Sequence, residues 1–234
     1  MPRSWLPLVL ATALLAATPL AATVPAGFSD LLVATIGFPT ALAFTPDGRL
    51  LVTTQPGTLR VYQAGTLLAT PAVMFAPSQI CTNGERGLLG VAVDPAFASN
   101  HFIYLFYTFN KFNNICPGPG PTAPVNRVSR FTLPDSNVIS LASELVLVDN
   151  MPSPAGNHNA GDVHFGKDGF LYVSIGEGGI ANAARDEHVL TGKILRIASD
   201  GSIPATNPFQ GAGTARCNVT GQTTPGNKCQ ETFV

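Results

Sequence analysis

The stretch that decides the fold is DVHFGKDGFLYVSI, residues Asp162 to Ile175. Apolar and polar residues alternate before the turn Lys167-Asp168-Gly169, and the residues after it are mostly aromatic or β-branched. Alternation with a period of two on either side of a glycine turn predicts an antiparallel β-hairpin. On the first strand, His164 is expected to share one face with Asp162, as a hydrogen-bonded strand residue.

The same phrase occurs twice earlier in the chain, as ALAFTPDGRLLVTT at residues 41–54 and LGVAVDPAFASNHFIYLFYT at residues 89–108. Long amphipathic helical patterns are absent from the sequence. Regular short strands separated by Gly and Pro turns are typical of a β-sandwich or a β-propeller. A hairpin that recurs about every 50 to 70 residues favours the propeller. Further short strands are predicted at Thr58–Tyr62, Asn126–Leu133, Glu144–Asp149 and Lys193–Ile197.

The number of phrases indicates an incomplete propeller. Three hairpin phrases account for about three blades, whereas a closed propeller normally has at least four. The chain also finishes on CQETFV, a β-like run without a turn or a polar cap. The sequence is therefore expected to be part of a longer reading frame, with a partial propeller over residues 23–234.

The N-terminal stretch MPRSWLPLVLATALLAATPLAAT has one arginine, an apolar run and small residues near its end. This pattern predicts a signal peptide at residues 1–22, a secreted or periplasmic location and no membrane span after cleavage. In an oxidising compartment the four cysteines are expected to form disulfides, with three connectivities open. Sequential pairing, Cys81–Cys116 and Cys217–Cys229, is favoured because each bond would close an excursion rich in Gly, Pro and Asn.

The composition limits the class of partner. Only 12% of the residues are charged, 45% are apolar, and the formal net charge is −1. A chain of this length and composition can bury a sizeable core, and its charge balance favours neither nucleic acid nor an anionic membrane surface. The expected partner is a small neutral molecule.

Two polar residues bracket the hairpin of residues 162–175. His158 lies before it in the loop GNHNAG, and Glu177 follows it in IGEGG. Because a hairpin returns its two ends to the same sheet edge, these side chains are expected to face each other. A histidine oriented by a carboxylate can take a proton from a hydroxyl group. The alternatives are a solvated loop histidine and a turn carboxylate among glycines.

Other charged residues give weaker signals. Glu85 and Arg86 precede the second phrase in the same relative place as His158 precedes the third, and equivalent loops of a propeller converge on one mouth. On their own, they are interpreted as neighbouring exposed charges. Lys193 and Arg196, in TGKILRI, are expected to point outward from a strand.

Four ordered motifs, GERGLLGVAVDPAF, NRVSRFTL, HNAGDVHFGKDGFLYVSIGEGG and GKILRIASDGSIPATNPF, resemble the glucose/sorbosone dehydrogenase family, which contains soluble quinoprotein glucose and aldose sugar dehydrogenases. The resemblance runs from about Gly37 to Val234. It implies an all-β, six-bladed β-propeller, of which this chain holds about the first three blades. It also implies pyrroloquinoline quinone (PQQ) at the central mouth and Ca²⁺ polarising the quinone. The implied partners are an aldose sugar and an electron acceptor, with a homodimer of the full-length protein as a further expectation.

By this resemblance, His158 is the catalytic base that takes the proton of the anomeric C1 hydroxyl while hydride passes to PQQ and a lactone forms. Glu177 stands where the family has an aspartate that orients the histidine. Cofactor-binding positions of the family fall on Glu85, Asn157 and Asn182, and no residue of this chain falls on a metal-binding position. A carboxylate at residue 85 would weaken binding of a tricarboxylate cofactor unless a cation such as Arg86 neutralises it.

The family's calcium loop and basic cofactor ligands follow the segment that this sequence matches. The 234-residue chain by itself is therefore expected to bind no PQQ and to oxidise no sugar. The alternative function is a non-catalytic propeller binding module, because hedgehog-interacting proteins resemble the same family without oxidising sugars.

Overall fold

A computed structural model describes residues 24–116, 120, 122–221 and 226–234. The predicted signal peptide, residues 1–22, lies outside the described residues. A short N-terminal unit ends at Thr35, and residues 36–234 form a second unit that contains all the strands described below.

The first blade is a sheet in the order β1-β2-β3, with two short strands that both pair with β3. The turn Pro46-Asp47-Gly48 joins its first two strands, which are antiparallel as predicted. The strands are β1 (Pro39–Phe44), β2 (Leu50–Thr54), β3 (Thr58–Gln63), β4 (Thr66–Leu67) and β5 (Val73–Met74).

The second blade is a four-stranded antiparallel meander in the order β6-β7-β8-β9. One helical turn, α1 (Phe97–Asn100), joins the first two strands, and a 3₁₀ turn, Leu141–Ser143, precedes the last. The strands are β6 (Leu88–Val93), β7 (Phe102–Phe109), β8 (Val125–Thr132) and β9 (Leu145–Pro152).

The third blade has the order β10-β11-β12, and residues 231–234 run along the free edge of β12. The amide of Ile194 donates to Val234, and the amide of Arg196 donates to Glu231. A 3₁₀ turn, Ala183–Arg185, lies between β11 and β12. The strands are β10 (Ala160–Phe165), β11 (Leu171–Ile175) and β12 (Lys193–Ile197), followed by a short parallel pair, β13 (Thr214–Ala215) and β14 (Lys228–Cys229).

The three recurring phrases are thus the hairpins β1–β2, β6–β7 and β10–β11, and each further predicted strand is present. Three successive antiparallel sheets confirm the all-β, partial propeller that the sequence predicts. His164 lies on the exposed face of β10 with Asp162, and its Nε2 is 3.1 Å from an Asp162 carboxylate oxygen, as expected for a paired strand residue.

The hydrophobic core lies between neighbouring blades. On β7, Ile103 and Leu105 join the cluster shared with the first blade, while Tyr104 and Phe106 join the cluster shared with the third. This strand is therefore buried on both faces, which explains why FIYLFYTF is an almost continuous apolar run.

The first strands of the blades are neighbours, since β6 contacts both β1 and β10. Their close approach requires glycine at residue 90, because a side chain there would overlap the carbonyl oxygen of Gly161. The loops that enter β6 and β10 consequently meet at one end of the sheets.

Two cations of β12 are buried, contrary to the prediction that they point outward. Lys193 is 7% exposed, and its Nζ donates to the carbonyls of Ala183, Ala184 and Thr191. Burial lowers the pKa of Lys193. Arg196 is 6% exposed and donates to Asn207. Lys193 and Arg196 are three positions apart on the strand and therefore lie on opposite faces of it. The error arises because residues outside the strand cover each of these side chains and supply its acceptors.

Both predicted disulfides are present, Cys81–Cys116 and Cys217–Cys229. We expect the C81S/C116S double variant to lower the free energy of unfolding by about 2–4 kcal/mol, because the bond restricts the unfolded chain. The C217S/C229S variant is expected to lose less, since its residues are separated by 12 positions instead of 35. Urea unfolding checks this order, and a larger loss for C217S/C229S would contradict it.

Among the residues that the structure describes, we find no helix with the length and apolar character needed to span a membrane.

Candidate active site

The β10–β11 hairpin brings His158 and Glu177 together. His158 precedes β10, Glu177 follows β11, and Ala160 pairs with Ile175 where the two strands meet these loops. The Nδ1 atom of His158 is hydrogen-bonded to Oε1 of Glu177. The two side chains are 54% and 36% exposed, so the pair is open to a ligand from outside. The predicted contact between the ends of the hairpin is confirmed.

His158 and Glu177 each shift the pKa of the other. The hydrogen bond and the charge of Glu177 raise the pKa of His158 above its ordinary value, and His158 lowers the pKa of Glu177. An ionised carboxylate only accepts hydrogen bonds, so Nδ1 carries the proton in neutral His158. The Nε2 atom then has a free lone pair and can accept a proton.

The backbone of the histidine loop is strained. His158 and Ala160 both adopt left-handed conformations, each with a φ of 54°. Each such residue costs of order 1–3 kcal/mol and persists only where its surroundings hold it. Two hydrogen bonds hold the loop against the segment after β11: Gly178 N donates to His158 O at 3.1 Å, and Gly176 N donates to Asn159 O at 3.2 Å.

Glu85 binds the same loop from the second blade. Its Oε2 accepts a hydrogen bond of 2.6 Å from the backbone N–H of His158. Its own N–H donates to the carbonyl of Gly156 at 2.8 Å. The prediction that equivalent loops of the blades converge is therefore confirmed for Glu85 and His158.

Arg86 differs from its prediction as an exposed charge, because it is only 1% exposed. Its Nε donates to Ser153 Oγ at 3.1 Å, Nη2 donates to Ser153 O, and Nη1 donates to Asn83 Oδ1 at 3.1 Å. Burial lowers the pKa of its guanidinium. These hydrogen bonds offset the desolvation of the charge and fix the loop below His158.

A buried polar network supports the loop and was missed by sequence reasoning. Asn159 Oδ1 accepts from Ser153 Oγ at 2.6 Å and from Asn126 Nδ2 at 3.0 Å, and Asn126 Oδ1 accepts from Thr108 Oγ1 at 2.8 Å. All four residues are buried. A polar residue within an otherwise apolar strand predicts a buried hydrogen bond. Thr108, in the run FIYLFYTF, is such a residue and could have indicated this network.

Gln55, directly after β2, is a second residue that the sequence analysis missed. Its Nε2 donates to Gly84 O at 2.7 Å and to Arg86 O at 3.1 Å, so it holds the segment that carries Glu85. Its place after the second strand of a blade is equivalent to that of Glu177, and the repeat could have identified it.

The two predicted asparagines occupy different positions. Asn157 Oδ1 is buried and has no hydrogen-bond partner among the described residues, and it lies close to Gly179. Asn182 is exposed, has a φ of 64° and begins the turn of residues 183–185. In the described part of the chain, no hydrogen bond joins Asn182 to the His158–Glu177 pair. An unpartnered buried acceptor such as Asn157 Oδ1 is available to a ligand.

Within residues 24–116, 120, 122–221 and 226–234, no cluster of three or more His, Cys, Asp or Glu side chains could hold a metal ion.

The fold and the site together define a β-propeller with a histidine–carboxylate pair at the end of its sheets. The same fold is found in an aldose sugar dehydrogenase from Streptomyces coelicolor solved in its PQQ-bound form, with 30% identity and a TM-score of 0.64 over 76% of this chain and 50% of that one. It is also found in the apo form of a soluble aldose sugar dehydrogenase from Escherichia coli, with 28% identity and a TM-score of 0.59 over 77% and 50% of the two chains.

The chain belongs to the glucose/sorbosone dehydrogenase family, whose model matches residues 36–221. It is 30% identical to an aldose sugar dehydrogenase of Escherichia coli over 77% of this chain and 46% of that protein. It is 27% identical to quinoprotein glucose dehydrogenase B of Acinetobacter calcoaceticus over 76% and 40% of the two chains. A hedgehog-interacting protein of Mus musculus is 28% identical over 73% and 26%. The chain thus spans less than half the length of these relatives.

Proposed function

We propose that the protein that carries this chain is an exported quinoprotein that oxidises the anomeric C1 hydroxyl of aldose sugars to lactones. The observation that carries this proposal is the pair of His158 and Glu177, open to solvent where the loops of two blades meet. Family membership supports oxidoreductase chemistry, and a relative with a PQQ-bound structure supports the choice of cofactor. The two disulfides support a secreted or periplasmic location.

His158 acts as the general base in this proposal. Glu177 accepts the Nδ1 proton and fixes the tautomer, so that Nε2 takes the proton of the C1 hydroxyl. The C1–H bond then breaks with its electron pair, and C1 and its oxygen form the lactone carbonyl. Glu177 stabilises the imidazolium that results, since its carboxylate is adjacent. PQQ, when bound, supplies the acceptor for the hydride.

The described residues fit part of such a cofactor. Asn157 offers a buried oxygen without a partner among the described residues, and Asn182 is exposed. We propose both as cofactor contacts together with Glu85, since the resemblance to the family implies these three positions. The cations of Arg86 and Lys193 are buried and already donate to backbone carbonyls, so we assign neither to the cofactor's carboxylates. Calcium would accompany the cofactor, as the resemblance to the family implies.

The pH dependence of the reaction tests the role of Glu177. Only neutral His158 accepts a proton, so kcat/KM should fall as the pH drops through its raised pKa. The hydrogen bond to the Glu177 carboxylate and the charge of that carboxylate raise this pKa. Glu177→Gln weakens the hydrogen bond and removes the charge, so the acidic limb should move to lower pH. The His158 pKa, measured by NMR titration, should fall in the same variant.

Asp186→Asn is the matched control, because Asp186 forms a similar pair with His188 on the surface. It should leave both the acidic limb and the His158 titration unchanged. An acidic limb at the same pH in Glu177→Gln and the wild type would contradict the assignment of Glu177.

A non-catalytic binding module is the second candidate function. Its support is the match to hedgehog-interacting proteins, and Glu85 is a further reason because it places a carboxylate where the resemblance implies a neutral cofactor ligand. PQQ titration followed by dye-linked aldose oxidation separates the two candidates. Turnover supports the dehydrogenase, whereas bound cofactor without turnover of any aldose supports the module.

A further inference from the structure

Glu85 and Arg86 hold the histidine loop at successive points. Glu85 bonds to the carbonyl of Gly156 and to the N–H of His158, while Arg86 bonds to the carbonyl and hydroxyl of Ser153. Two adjacent residues of the second blade therefore fix the loop that enters the third blade.

Both backbone polar groups of His158, its N–H and its C=O, make hydrogen bonds. Its N–H donates to Oε2 of Glu85 at 2.6 Å, and its C=O accepts from Gly178 N at 3.1 Å. The left-handed backbone at this residue is unfavourable by itself. Removal of either bond would release the residue toward an ordinary conformation, in which the ring would point elsewhere.

The ring and the backbone use different carboxylates. Glu177 contacts Nδ1 of the imidazole, whereas Glu85 contacts the main-chain amide. The Nε2 atom has no hydrogen-bond partner among the described residues. The arrangement thus leaves one nitrogen open and fixes the orientation of the ring from two directions.

We propose that Glu85 is a positioning residue: its carboxylate holds the left-handed backbone of His158 and so directs the imidazole toward Glu177 and the substrate. This inference deepens the proposed function, because it rests on His158 as the base. It also gives Glu85 a task beyond the cofactor contact implied by its place in the motif. An uncharged acceptor suffices for this task, since the backbone amide needs only an oxygen at that position.

Substitutions at residue 85 separate the hydrogen bond from the charge. Glu85→Gln keeps an oxygen that can accept from the His158 amide, whereas Glu85→Ala removes it. Asp135→Ala is the control, because Asp135 is an exposed carboxylate whose side chain contacts His101 on another loop. Each variant is examined by hydrogen exchange of the His158 amide, by NMR titration of its ring and by aldose oxidation with PQQ and calcium.

We expect Glu85→Ala to speed exchange of the His158 amide by about tenfold, which corresponds to the loss of one hydrogen bond to a charged group. The turnover number should fall by about tenfold or more, since a base displaced by a fraction of an ångström loses its geometry. Glu85→Gln should restore the protection of the amide and most of the turnover. Asp135→Ala should match the wild type in every measurement.

Unchanged protection of the His158 amide in Glu85→Ala would overturn the proposal. Equal loss of turnover in Glu85→Ala and Glu85→Gln, with protection retained in Glu85→Gln, would also overturn it, because charge would then be the essential property. Failure of the dehydrogenase proposal has a different signature. In that case the wild type oxidises no aldose, while amide exchange and ring titration still report whether Glu85 holds His158.

Discussion

Replacement of His158 by alanine is expected to lower kcat for aldose oxidation roughly 100- to 10,000-fold, the usual contribution of a general base. The imidazole lies next to Glu177 with Nε2 free of hydrogen bonds within the described residues, and no other histidine occupies this loop. Binding of PQQ should be unchanged, because the proposal gives His158 the proton transfer and not the cofactor. Steady-state kinetics and cofactor titration on the same preparations measure both effects.

His164→Ala is the matched control for this experiment. His164 pairs with Asp162 as His158 pairs with Glu177, but it lies on the exposed face of β10 outside the loop of residues 156–160. Its removal should leave kcat unchanged. A His158→Ala variant with normal kcat, or a His164→Ala variant with an equal loss, would contradict the assigned base.

Gly176→Ala is expected to have the second largest effect. A side chain at this position would overlap the carbonyl oxygen of His158. The N–H of Gly176 also donates to the carbonyl of the next residue, Asn159, so the two segments are in close contact. The overlap is with backbone, which cannot rotate away, so the loop must move. We expect a loss of about 1–3 kcal/mol in the free energy of unfolding, typical of overpacking, and a loss of about 100-fold in kcat from the displaced base.

Gly37→Ala provides the control, because an added Cβ there meets no atom and Gly37 has no left-handed φ. It should alter neither stability nor turnover. Urea unfolding and kinetics test the pair of variants together. Wild-type kcat in Gly176→Ala would show that the loop tolerates displacement and that its close contact with the segment after β11 is not required.

The hairpins could be predicted because the residues that define each of them are close together in the sequence. Alternation over residues 162–175, a glycine turn and repetition along the chain are sufficient to predict β10 and β11, and their pairing brings His158 to Glu177. The disulfides were predictable for a similar reason, since each closes a separate excursion.

The buried cations were not predictable from the same pattern. Alternation gives the face on which Lys193 or Arg196 lies, but residues distant along the chain determine whether that face is covered. The segment of residues 231–234 lies against β12, and the turn of residues 183–185 supplies carbonyls to Lys193. The alternation of residues within β12 does not predict these contacts, and so it does not predict that the two cations are buried.

The loop of residues 156–160 has some features that nearby residues determine and others that distant residues determine. Its position before β10 follows from the hairpin, whereas its left-handed residues and the polar network beneath it depend on the second blade. Arg86 was expected at the surface because it follows another charge. In the structure it is buried, and its guanidinium donates to the hydroxyl and carbonyl of Ser153 and to the side chain of Asn83.

The most direct test of the central claim is dye-linked oxidation of a panel of aldoses by the protein that carries this chain, with and without PQQ and calcium. The account predicts lactone formation that requires the cofactor and is lost in His158→Ala. Stoichiometric binding of PQQ with no oxidation of any aldose would contradict it.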